Sequence, residues 1–133
     1  MIISGKADKM TRHDIYSLIY YRLNKLINVN DFMEKIHYLE KGNRNGLFLT
    51  FNKVNNTEIK ITEYFDVCDN PVENFMVVVQ IDMVEHKAQV ISLKTEYTFE
   101  EAYDKHGIEK PKVKNSLNRC LSAFLLRLNE LEL

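Results

Sequence analysis

Apolar residues recur along this chain at two different periods. From Phe75 to Ile81, the residues Phe75, Val77, Val79 and Ile81 alternate with Met76, Val78 and Gln80. A period of two belongs to an extended, pleated chain. The run Val77-Val78-Val79 also disfavours a helix, because branching at Cβ restricts χ1 against the preceding turn. This stretch predicts the central strand of a sheet, with Ala88–Leu93 as its return partner after a turn at Glu85-His86-Lys87. Leu47–Phe51 and Glu58–Phe65 alternate in the same way around Asn55-Asn56, a tight-turn pair because Asn tolerates positive φ. Asp66–Asn74, with Asp69-Asn70-Pro71, reads as a loop.

The second period is helical. Ile15, Leu18, Ile19, Leu23, Leu26 and Ile27 recur every three or four residues from Arg12, behind Thr11 as N-cap and Asp14 as its capping-box partner. Near the C-terminus Leu117, Leu121, Phe124, Leu125 and Leu128 repeat the stripe, with Cys120 and Leu131 alongside and Asn115 or Ser116 as cap. Between the first helix and the first strand, Asp31–Lys41 fits a short second helix capped by Asn30, although Lys35–Leu39 could also alternate as a strand. Thr98–Gly107 fits one or two helical turns capped at Thr98, and Lys110–Lys114 a stiff basic linker around Pro111. Residues 1–10 show no period and read as a loose arm, in which Ile2 and Ile3 could add an edge strand.

Four strands with short connections imply antiparallel pairing, since a parallel crossover needs a dozen or more residues. The expectation is a single two-layer α+β domain over residues 1–133: an N-terminal helix, a short second helix, a four-stranded antiparallel meander and a C-terminal helix packed on one sheet face.

The Ala88-Gln-Val run, the Lys94–Tyr97 run and the helix beginning Ser116-Leu-Asn-Arg-Cys-Leu resemble the YqiB-like family of small bacterial proteins over the last third of the chain. The chain departs from that pattern at Glu109–Lys114, which is basic where the family is acidic and glutamine-rich. The resemblance implies a fold and brings no activity with it.

Composition changes this picture little. The chain has 133 residues, 45% hydrophobic and 28% charged, which suits one soluble domain. No apolar run approaches the roughly 18 residues of a membrane span, and the N-terminus lacks the pattern of a signal peptide. The expectation is a cytoplasmic protein with no membrane partner. The vocabulary rich in Asn, Lys and Ile fits a low-GC bacterium or a phage. The two cysteines, Cys68 and Cys120, form no metal-binding or redox spacing and read as reduced thiols, with Cys120 in the helix core.

Charge is balanced at −1 but unevenly placed. Seven acids and one base fall in Glu58–Glu85, and five bases and one acid in Lys105–Arg119. Lys105, Lys110, Lys112, Lys114 and Arg119 are candidate phosphate contacts, which would make the chain a nucleic-acid-associated protein. Against that stand the slightly acidic balance and the want of a helix-turn-helix or RNP-like pattern. Asp66, Asp69 and Glu73 crowd one segment and could serve an enzyme site or a hard cation. They lack the glycine and closing acid of an EF-hand. His13, His37, His86 and His106 stand alone and read as exposed polar residues. No phosphate loop, nucleophile elbow or ligand spacing is present. No cofactor, metal or catalytic residue is therefore assigned.

Seven tyrosines exceed what a small core needs. Tyr buries a ring while keeping a hydroxyl wet, which suits protein interfaces. The first functional expectation is a non-catalytic protein-interaction module, an accessory or inhibitor protein. It would bind a protein partner or a second copy of itself through Tyr16, Tyr20 and Tyr21 on the first helix, or Met76 and Val78 on the half-apolar sheet face.

Overall fold

The computed structural model describes residues 14–43 and 46–131. Residues 1–13, with Thr11, His13 and the expected arm, lie outside them. The order is α1 (Ile15–Ile27), α2 (Val29–Asp31, continued by a π turn over Phe32–Ile36), β1 (Tyr38–Gly42), β2 (Leu47–Asn55), β3 (Glu58–Val67), β4 (Asn70–Asp82), β5 (Lys87–Thr95), β6 (Phe99–Glu101) and α3 (Pro111–Glu130). The six strands form one antiparallel sheet in chain order, with β3 and β4 at its centre.

α1 begins where Asp14 accepts the N–H groups of Tyr16 and Ser17, both at 3.1 Å, so Asp14 is itself the N-cap. It ends at Asn28, whose left-handed backbone (φ 52°) turns the chain and lets its side chain accept the Asp31 N–H. Asn28, not Asn30, caps the short helix. The ambiguous segment resolves into both readings. It is helical to Ile36, reverses at His37 (φ 66°), and pairs as β1 with β2.

Three further expectations are corrected. The sheet has six strands rather than four, because β1 and β6 are short edge strands whose polar residues hide the alternation. The Thr98 region is not helical. The hydroxyls of Thr95 and Thr98 share a hydrogen bond at 2.7 Å, and Thr95 Oγ1 accepts the Thr98 N–H, which closes a tight turn into β6. Asp66–Asn74 is not a loop. Its chain reverses in two residues, Cys68 and Asp69, with φ of 52° and 67°, and β3 and β4 stay paired up to that turn. This ribbon runs past the ends of β2 and β5, so the missing N–H of Pro71 breaks no ladder bond.

α3 starts earlier than its stripe suggests. Pro111 occupies the first turn, where its fixed φ suits the helix and its missing N–H costs nothing. Lys110–Lys114 is thus the helix start rather than a linker, and neither Asn115 nor Ser116 caps it. Cys120 on α3 and Leu131 just after its last residue lie exposed.

The core lies between the helices and one sheet face. Ile19, Leu23 and Leu26 of α1, Leu117, Leu121, Leu125 and Leu128 of α3, and Val29, Phe32 and Met33 cover Leu49, Phe51, Ile59, Ile61, Val77, Val79, Ile81, Ala88 and Val90. At about 25 cal/mol per Å² of apolar surface removed from water, this burial is the main stabilising term. Arg22 ties α1 to α3 by donating to the carbonyl and hydroxyl oxygens of Ser122 at 2.8 and 2.9 Å. No helix among the described residues is long and apolar enough to cross a membrane.

Candidate functional site

Alternation places the other residues of the strands on the second sheet face, over which no described helix lies. Strand register resolves that face into rows. One runs Phe99, Lys94, Met76, Thr62, Thr50, Glu40 from β6 to β1, and the next Glu101, Ser92, Val78, Lys60, Asn52, Tyr38. Phe48 and Tyr64 stack beside them with ring centroids 5.0 Å apart. Thr62 is 2% exposed and Thr50 7%, so their neighbours already shield them from water. Met76 and Val78 are half-buried at the centre.

The candidate tyrosines do not form one surface. Tyr20 is buried and stacks on His86 at 5.1 Å, and burial raises its hydroxyl pKa. Tyr21 is 57% exposed, with the Lys25 ammonium over its ring. Tyr16 faces Lys114.

The basic candidates also separate. Lys105 lies in the turn before α3, Lys110 and Lys112 at the helix start, and Arg119 is exposed further along. Lys114 is held inside. Its ammonium donates to Glu109 Oε1 at 2.8 Å and lies 5.4 and 5.3 Å from the ring centroids of Tyr16 and Tyr103. Burial disfavours that charge, but Glu109 and the Tyr103 hydroxyl outweigh it and raise the pKa above the ordinary lysine value.

The acidic candidates sit on the projecting ribbon. Among the described residues, no three His, Cys, Asp or Glu side chains gather as a metal site. Asp66 and Asp69 line neither of the two cavities described below. His37, His86 and His106 are exposed.

The larger cavity is an open cleft of about 590 Å³ at the end of the sheet bearing the β2–β3 and β4–β5 turns. Its lining includes Tyr16, Gln80, Met83, Lys87, Gln89 and Lys114. Polar relays converge there. Tyr103 Oη donates to Gln89 Oε1 at 3.1 Å, and Gln89 Nε2 donates to Gln80 Oε1 at 2.8 Å. Lys87 pairs with Asp14 at 3.2 Å. Sequence reasoning missed this site because Gln80, Gln89, Tyr103 and Lys114 meet only through strand register and helix placement. The smaller cavity is an apolar groove between α3 and the sheet, lined by Phe75, Leu93 and Phe124 among others, with Cys120 at its side.

No family model, curated protein or solved structure matches the chain.

Proposed function

We propose that this chain is a non-catalytic interaction module that assembles with a second copy of itself through the sheet face over which no described helix lies. The supporting observation is that both long helices pack on one face, leaving Met76 and Val78 half-buried at the centre of the other. A two-fold axis along the strands lays β3 of one copy over β4 of the other, and sets Met76 and Val78 of the two copies diagonally across the contact. Sheets packed in this way lie about 10 Å apart with interdigitated side chains.

Native mass by light scattering tests this reading. The expected particle has twice the 15.7 kDa chain mass. The double variant Met76→Glu, Val78→Glu is expected to be monomeric with unchanged far-ultraviolet circular dichroism. A wild-type monomer at all accessible concentrations, or a dimer that survives both substitutions, overturns it.

A further inference from the structure

We infer that the helix side of the projecting β3–β4 ribbon is a docking surface for a short amphipathic helix of a partner protein, with Lys or Arg flanking its apolar stripe. Alternation sets the two faces of the ribbon. Ile59 and Ile61 point into the core, so Phe65 and Val67 continue on the same side of β3. Val72 is the strand partner of Phe65 and shares that side. Phe65, Val67 and Val72 are 45%, 52% and 49% exposed, whereas Ile61 on the same side is fully buried. Apolar side chains exposed together on one face mark a contact surface, which scattered ones do not. This face is on the opposite side of the sheet from Met76 and Val78, so the inference does not rest on self-assembly.

Charge, edge and size select the occupant. Glu63–Phe75 carries the carboxylates of Glu63, Asp66, Asp69 and Glu73 and no base. None of them forms an ion pair among the described residues. Asp69 sits in the turn at the tip, Asp66 and Glu73 on the far side, and buried Glu63 at the base, where Asn74 donates to it. Asp66 Oδ1 is buried and accepts no hydrogen bond. Cations beside an apolar stripe therefore meet negative charge around the ribbon with no base in competition. The edge argues for a helix rather than an added strand. Asn70–Asn74 has no partner on β5, but Pro71 lacks an N–H and the register shifts beside Asn74, which blunts backbone pairing. Side chains must make the contact, as when a helix lays its apolar stripe on a complementary surface. The ribbon offers only the four strand pairs from Tyr64↔Glu73 to Val67↔Asn70. A stable contact between whole domains uses roughly 20–30 residues a side, so the occupant is a short segment.

The test uses the full chain with ¹³C-labelled valine methyls and three peptides. One is a helical peptide of leucine and lysine with leucines at i, i+3, i+4 and i+7. The second keeps the leucines and replaces lysine by glutamate, and the third is lysine alone. The leucine–lysine peptide is expected to shift the Val67 and Val72 methyl resonances saturably, while the other two at equal concentration do not. Its affinity, read by fluorescence anisotropy of the labelled peptide, is expected to fall at least tenfold in Val67→Thr, Val72→Thr, which keeps side-chain shape and strand preference. Asp66→Asn, Glu73→Gln is expected to weaken it at least threefold. The proposal is overturned if the leucine–lysine peptide causes no saturable shift at Val67 and Val72, if either control peptide matches it, or if either folded double variant binds it as the wild type does.

Discussion

Asn118 Oδ1 accepts the backbone N–H of Val90 at 2.8 Å, joining α3 to β5 inside the core. Asn118 is 0% exposed, and its Nδ2 donates to the Lys114 carbonyl one turn earlier at 2.8 Å. The register of β4 and β5 shifts between Val78 and Val79, beside Val79's partner Val90, and the Val90 N–H is directed at the helix there. The sequence places Asn118 next to the apolar stripe, where it reads as an ordinary polar helix residue. In the fold it satisfies a buried amide that would otherwise have no water to turn to.

Replacing it should therefore cost more than its polarity suggests. Asn118→Leu keeps the volume close but leaves the Val90 N–H unpaired, a loss of about 1–3 kcal/mol. Urea unfolding is the measurement. The midpoint is expected to fall with the slope unchanged, since the surface exposed on unfolding stays the same. An unchanged midpoint would show that the amide finds another partner.

Asp14 makes stability depend on acid pH. Burial alone would push its carboxyl pKa up, but hydrogen bonds from the Ser17 hydroxyl and N–H and the charge of Lys87 outweigh it, so the folded carboxyl ionises below its ordinary range. Its contribution is complete above the unfolded pKa near 3.8 and is lost as the pH falls through the lower folded value. Asp14→Ala should cost about 1 kcal/mol at neutral pH, a typical loss for an N-cap. The gap between wild type and variant should narrow on acidification below about pH 4. Thermal unfolding across the acid range measures it, and a gap constant with pH would place the effect elsewhere.

The parts of the fold legible in the sequence were those whose apolar residues kept one period long enough. Ile15 to Ile27 and Leu117 to Leu128 carry full helical stripes, and Phe75 to Ile81 alternates without a break. β1 and β6 escaped because short edge strands carry charge on both faces, as Glu40, Lys41, Glu100 and Glu101 do. The ribbon at Asp66–Asn74 was misread because Asp69-Asn70-Pro71 has the composition of a loop. There it supplies one turn residue, and Pro71 sits on an edge that donates nothing to a neighbour. The sheet face away from the described helices was legible, since Met76 and Val78 fall opposite the core positions. The cleft was not, because its relay joins residues from β4, β5, the segment after β6 and the start of α3.

Gly42 closes the edge of the sheet at φ 105°, a backbone that side chains rarely adopt. A Cβ there would lie 2.6 Å from the Leu47 carbonyl oxygen and 2.9 Å from Phe48 Cα, both backbone atoms that cannot swing aside. Gly107 has a comparable φ of 80° but open space around it. Gly107→Ala should cost about 1 kcal/mol through conformation alone, and Gly42→Ala clearly more, because β1 and β2 must part to admit the methyl. Parallel denaturation curves of the two variants decide this. Equal losses would mean that the β1–β2 edge yields freely.

Cys120 tests where the α3 stripe ends. At helical spacing it falls beside Leu117, Leu121 and Phe124, which suggested a buried thiol, but α3 turns it outward to the side of the apolar groove. Cys68 is likewise exposed, at the tip of the ribbon. Neither thiol is held in a disulfide. Titration of the native protein with a chromogenic disulfide reagent is expected to count both cysteines without denaturant. Cys120→Ser should remove one equivalent and leave the unfolding midpoint within about 0.5 kcal/mol of wild type, as for other exposed positions. A native count of one that rises to two only in denaturant would return Cys120 to the core and rotate the α3 face that the groove depends on.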